Sequence, residues 1–274
     1  MGLNTHIGRA LSATLPGTRT PFFVGTHAVG YVAPADIPAL CAAGCVEHEK
    51  SITWQNPQTL QTLARTLANQ GFTRWRDEAF GVFADHNGLP LGPVLAQADR
   101  GALAFLGIAA TGVHLNGLVH RANGLHLWVA RRALAKMPEP GKFDHIVAGG
   151  IPAGLTPAQT LIKEAAEEAG MAPNLATTAK LTNRLAYTLD RPEGLRRDLI
   201  YCYDIDLPED FTPTPVDGEV AGFELWPIGQ ALDTVRAGDA FKYNVNFVLI
   251  DLFARLGLIN LAEVPGLTRL RVNT

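Results

Sequence analysis

From Gly149 to Met171 the chain reads GGIPAGLTPAQTLIKEAAEEAGM, and this stretch leaves its backbone little choice. Thr156 is a good N-cap, Pro157 suits the first helical position, and Gln159, three residues after the cap, completes a capping box. Gly170 supplies the left-handed residue at which a helix stops. Between those bounds the helical period puts Leu161, Ala165 and Ala169 on one face and Glu164, Glu167 and Glu168 together on another. Like charges at this spacing cost about 0.2–0.5 kcal/mol on an isolated helix, and near a helix C-terminus they also oppose the macrodipole. A divalent cation reverses that penalty, and magnesium prefers carboxylate oxygens supplemented by waters and substrate phosphates. The pair Gly149-Gly150 upstream lets backbone approach phosphate or metal without a Cβ in the way. A Glu-rich helix face taken alone is an ordinary solvated surface, but the glycine pair, the caps and the stop at fixed offsets favour a built site.

The rest of the chain is ordinary globular material. Its 274 residues, 47% hydrophobic, suffice for one large core or two smaller ones. Lys and Arg number 23 against 26 Asp and Glu, so no global field gathers nucleic acid and any anion must be held locally. Cys41, Cys45 and Cys202 are too few for a disulfide framework and point to a reducing compartment, the cytoplasm by default. Neither the first residues nor the apolar run 245–261, interrupted by Asp251 and Arg255, reads as a signal or a membrane span.

Hydrophobic periodicity predicts a strand or hairpin over 21–32 followed by a helix, and a second helix over 59–69 with Leu60, Leu63 and Leu67 on one face. We place a boundary near Gly112, with a small α+β domain over residues 1–112 and a second domain over 113–274. In the second, VHLNGLVHR and GLHLWVARR read as strands joined through Ala122-Asn123-Gly124. Residues 184–189 and 198–205 read as another pair, with DRPEGLRR between them expected to be a long loop able to reach a ligand. A further strand over 218–227 and helices over 228–236 and 246–256 complete the pattern.

The glycine and glutamate stretch resembles the Nudix box, G-x5-E-x7-R-E-U-x-E-E-x-G-U with U a bulky apolar residue. Gly149, Glu164, Ala165, Glu167, Glu168, Gly170 and Met171 fall on its positions. Leu155 stands where the box has its first Glu and Lys163 where it has Arg, which removes an outer charge and the bidentate fork of a guanidinium. The resemblance implies an α+β, α/β/α sandwich with a mixed sheet between helices, here preceded by a smaller α+β domain. It implies a magnesium-dependent hydrolase, with manganese as a substitute, acting on a small organic diphosphate. Its ligands would be Glu164, Glu167, Glu168 and the Gly150 carbonyl, and Glu164, Glu168 and Glu219 would be the catalytic acids, Glu168 or Glu219 taking the proton from the attacking water. The runs GVHLNGLV, LWVARR, GKFDHIVAGG, GLRRD, DGEVAGFELWP and VLIDLFARLG are similar to those of a Nudix subfamily related to thiamine-diphosphate metabolism. Thiamine diphosphate or an oxidised analogue is therefore the preferred substrate, with ADP-ribose, NADH and nucleotide sugars as competitors. A diphosphate-binding module without catalysis is the rival class.

Arg131, Arg132 and Lys142, upstream of the glycines, and Arg196 and Arg197, in the expected loop, are candidate phosphate clamps, with surface solvation as the alternative. Cys41-x3-Cys45-x2-His48 lacks a fourth zinc ligand nearby and fits helix packing better, and Cys202 reads as a core residue. A further reading makes residues 1–112 a platform for a partner or a homodimer through Phe22, Phe23 and Trp54.

Overall fold

The computed structural model describes residues 2–135, 137 and 139–272. After a first helix, α1 (Leu3–Ala10), come strands β1 (Thr20–Val24), β2 (His27–Val32), β3 (Val46–His48) and β4 (Ser51–Trp54), paired in the order β2-β1-β4-β3. Helices α2 (Ile37–Ala42) and α3 (Leu60–Asn69) follow the pattern predicted for them. A hairpin of β5 (Ala79–His86) and β6 (Leu89–Asp99) leads through the single turn α4 (Arg100–Leu103) into the main sheet. Phe22, Ile52, Leu60, Leu63, Leu67, Phe80 and Val82 share one core, so the four-stranded sheet, α3 and the hairpin are packed as a unit.

Seven strands make the main sheet: β7 (Ala110–Arg121), β8 (Gly124–Arg132), β9 (Phe143–His145), β10 (Val147–Gly150), β11 (Lys180–Arg191), β12 (Gly194–Asp206) and β13 (Val220–Pro227). The order is β11-β12-β7-β8-β13, with β10 beside β7 and β9 beside β8. Only the β12 and β7 pair is parallel, which makes the sheet mixed. Strand β7 is buried from Gly112 to Val119 because both faces of the sheet are covered. On one face lie α5 (Pro157–Ala169) and the short α6 (Pro173–Ala176), where Leu161, Ala165 and Ala169 meet Val113, Leu115 and Ile205. On the other lie α7 (Ile228–Ala237) and α8 (Tyr243–Arg255), where Val248 and Leu252 meet Leu127 and Val129. Helix α1 joins this second layer through Leu3, Ile7 and Ala10, so the first ten residues pack with the C-terminal part of the chain. No helix among the described residues is long and apolar enough to cross a membrane.

Two expectations need correction. The segment 190–197 is not a long loop: β11 and β12 stay in register to Arg191 opposite Gly194, and only Pro192 and Glu193 turn. Leu189 and Leu195 point inward and are buried, so strand alternation runs straight through a charged stretch whose composition disguises it. Phe22 is 0% exposed, in the centre of the N-terminal core, and cannot belong to an exposed platform; Phe23 and Trp54 are half-buried.

Candidate active site

Helix α5 forms as its caps dictate. Gln159 N–H donates to Thr156 Oγ1 at 3.3 Å, Thr156 N–H donates to Gln159 Oε1 at 2.9 Å, and Gly170 ends the helix at φ 61°, ψ 23°. Those bounds bring the helix flank against the glycine strand β10. A Cβ on Gly149 would lie 2.5 Å from Cγ and Cδ of Glu164, and one on Gly150 would lie 2.4 Å from Cζ of Phe80. The glycine pair is thus required by close approach from two sides, α5 and β5.

The three box glutamates fall in two adjoining groups. Glu168 is buried and its Oε2 accepts the Ala148 N–H at 2.8 Å. Its carboxylate groups instead with Asp217 and Glu219, one oxygen of each lying within 4.8 Å of the others. Glu164 and Glu167 line the adjoining cavity, of about 250 Å³, together with Gly149, Gly150 and Glu219. Lys163, in the arginine position of the box, holds both, at 3.2 Å from Glu164 Oε1 and 2.5 Å from Glu167 Oε2. Burial pushes the Glu164 carboxyl up, with Lys163 partly opposing. This donor set is all oxygen and mostly anionic, which suits a hard divalent cation such as magnesium or manganese. Asp217 escaped the sequence reading, although its place in the Asp-Gly-Glu run ending at Glu219 could have marked it.

The candidate clamps separate. Arg132 and Arg196 line the same cavity. Arg132 is buried and donates to Asp144 Oδ2 at 2.9 Å, while Arg196 Nε donates to Asp198 Oδ2 at 2.8 Å. Arg131 is turned away: its guanidinium stacks 4.2 Å from the Phe143 ring and donates to the Gly141 carbonyl at 3.1 Å. Lys142 pairs with Glu139 at 2.9 Å and lines a separate cavity beside α1. Arg197 is 2% exposed; it donates to the Gly107 and Gly88 carbonyls and pairs with Asp85, so it is a tie between β12 and the N-terminal hairpin rather than a clamp. Alternation along β12 sends Arg196 to the cavity and Arg197 to the interior, a distinction that the expected loop could not make.

Residues not singled out from sequence complete the surroundings. Lys242, just before α8, lies 3.6 Å from Asp144. Burial pulls Lys242 down; Asp144 resists this, while Arg132, Arg100 and Arg196 add to it. Burial raises Asp144, but Lys242, His114, Arg132 and His145 bring it down to about 2. His114 and His145 share a 2.9 Å contact between their Nδ1 atoms, and burial holds both rings below their ordinary value, His145 at about 4. Asp198, also buried, is pushed up to about 7 by desolvation despite Arg100 and Lys242. Glu78 and Arg100, from outside the main sheet, also line the cavity.

Comparison with known proteins agrees with this geometry. Residues 112–245 match the NUDIX domain model. The chain is 39% identical over 204 residues to Nudix hydrolase 24, chloroplastic, of Arabidopsis thaliana, covering 74% of this chain and 54% of the relative. It is 38% identical over 184 residues to Nudix hydrolase 20, chloroplastic, of the same plant, covering 67% of this chain and 48% of the relative. The chain thus spans about half the length of these relatives, and the likeness is longer than the matched domain. Among solved structures, DR0079 from Deinococcus radiodurans superposes with a TM-score of 0.46 at 21% identity, covering 64% of this chain and 98% of that one. Residues 112–245, which carry the box and most of the mixed sheet, are thus similar to the NUDIX domain.

Proposed function

We propose that this protein hydrolyses a diphosphate linkage in a small organic diphosphate with the help of magnesium, or manganese in its place. One observation carries the reading: Glu168, Asp217 and Glu219 bring carboxylate oxygens within 4.8 Å of one another, at the edge of a cavity lined by Glu164 and Glu167. Glu164, Glu167, Glu168 and the Gly150 carbonyl are the ligands we assign, with Asp217 added. Once bound, the cation neutralises phosphate charge and eases deprotonation of a water. The Ala148 N–H fixes Glu168 in orientation, and Glu219, or Glu168 itself, takes the proton of the attacking water. Arg132 and Arg196 offer positive charge to phosphate oxygens. Positioning and charge neutralisation account for most of the rate in such a transfer, since phosphoryl groups need little covalent help.

Thiamine diphosphate or an oxidised analogue is our preferred substrate, on the resemblance of the runs around the box. ADP-ribose, NADH and nucleotide sugars are the competitors. Leu155 and Lys163 favour a second reading, a module that binds diphosphate and turns over little. We assign the division near residue 112, with the N-terminal region contributing to substrate or to a homodimer. A reducing compartment suits the three free cysteines, whether cytoplasmic or, as the names of the two plant relatives have it for them, chloroplastic. Turnover of a panel of diphosphates with Mg²⁺ and Mn²⁺, for the wild type and Glu168→Gln, tests the whole: full metal-dependent activity in the variant removes the reading, and tight binding without phosphate release selects the module.

A further inference from the structure

We propose that Arg100, held by Glu78 beside the N-terminal hairpin, is a phosphoryl-binding side chain of the cavity, so that the site of the NUDIX domain is completed by residues outside it. This rests on the diphosphate reading above. Both side chains line the cavity with Gly149, Glu164, Arg196 and Lys242, yet they belong to a part of the chain that the matched domain does not include.

Their placement is fixed by backbone contacts. Asp99 is 1% exposed, and its carboxylate accepts three backbone N–H groups, from Arg76 at 3.0 Å, Glu78 at 3.1 Å and Gly101 at 2.9 Å. The Arg100 N–H donates to the Glu78 carbonyl at 2.8 Å. A Cβ on Gly101 would lie 1.8 Å from the Arg74 carbonyl oxygen, so the two segments cross in contact. The hairpin is in turn docked on the glycine loop. The Ala153 N–H donates to the Ala79 carbonyl at 2.8 Å, Phe80 bridges to Pro152, and the Phe80 ring fills the space that Gly150 leaves. Arg100 is therefore held against β10 by the same contacts that hold β5.

Its chemistry suits an anion. Glu78 accepts from Nη1 at 2.9 Å, while Nη2 and Nε have no hydrogen-bond partner among the described residues and keep donors for phosphate oxygens. Arg100, Arg196 and Lys242 also line a smaller adjoining cavity together, and each has an acid near it: Glu78, Asp198 and, shared with Arg132, Asp144. A guanidinium presents a planar fork that matches two oxygens of one phosphoryl group. An Arg100 that served only to pair with Glu78 would have no need of a cavity wall shared with the glycine loop.

Calorimetric titration of the full chain, in Mg²⁺, with methylenediphosphonate, whose P–C–P bridge resists hydrolysis, tests the assignment by binding rather than turnover. Arg100→Ala should weaken binding by about ten-fold or more, as expected for a lost charge-assisted contact. Arg76→Ala removes an exposed positive charge two residues from Glu78 and should leave binding as in the wild type. Arg100→Lys keeps the charge and the Glu78 partner, so it carries the test if the alanine variant does not fold, and loss of the fork should still weaken binding measurably. Wild-type affinity in both Arg100 variants overturns the assignment with the diphosphate reading intact. So does an equal loss in Arg76→Ala, which would make the effect diffuse charge. A wild type that does not bind the diphosphonate at all overturns the diphosphate reading, and this assignment with it.

Discussion

The Glu168 carboxylate of α5 accepts the backbone N–H of Ala148 on β10 at 2.8 Å, and this contact joins the acidic helix to the glycine strand. It accounts for a glutamate that is buried on a helix whose neighbouring acid, Glu167, is half-exposed. Glu168→Gln keeps the shape and offers a neutral acceptor to Ala148, so the fold should survive while metal-dependent turnover falls by about 10²-fold or more. Thermal unfolding alongside phosphate release under Mg²⁺ checks both halves; unchanged turnover would remove the role assigned to this carboxylate.

Gly149→Ala tests the close approach of the same helix one residue further along the strand. The new methyl group must displace Glu164, whose carboxyl carbon stands 2.5 Å from it. Because the atoms in the way belong to a side chain rather than backbone, we expect a stability loss of about 1–3 kcal/mol, the range of overpacking costs. Metal affinity should fall much more. Parallel titrations with Mn²⁺ and guanidinium chloride separate the two effects.

Arg197 and Asp85 form a buried ion pair between β12 and β5. Removing one partner leaves an uncompensated charge inside, which costs about 3–5 kcal/mol. Asp85→Ala should therefore lower the unfolding midpoint strongly, while the double variant with Arg197→Met should recover part of the loss. A double-mutant cycle in denaturant measures it.

Asp198 supplies a pH dependence. Its folded-state value, about 7, stands above the ordinary 3.8, so between roughly pH 4 and 7 the folded protein keeps a proton that the unfolded chain has released. That stabilisation is fully present below pH 4, is lost as pH rises through 7, and changes no further above it. Asp198→Asn should flatten this part of the stability profile, an effect of at most a few kcal/mol across the window. Denaturant midpoints of both proteins from pH 4 to 9 decide; parallel profiles would refute it.

The helix that carries the acids was legible in the sequence down to its capping box and its left-handed glycine, because these depend on residues a few positions apart. The glycine pair was legible as a place of close approach, but not its second neighbour: Phe80 lies some seventy positions upstream, and no local pattern links it to Gly150. The same limit hid Asp217 as a companion of Glu168, and Arg100 and Lys242 as cavity residues. Among the arginines, composition placed 196 and 197 alike, whereas strand alternation gives one to the cavity and buries the other. The long loop expected over 190–197 failed because charged residues sit on paired strands whose buried positions, Leu189 and Leu195 among them, alternate with more exposed ones.

Where the Phe80 ring occupies the volume that any side chain at Gly150 would need, two distant stretches of sequence divide a single space between them. Neither position can enlarge unless the other shrinks. A larger residue at 150 thus calls for a smaller one at 80, so the N-terminal hairpin and the glycine loop are matched to each other in shape.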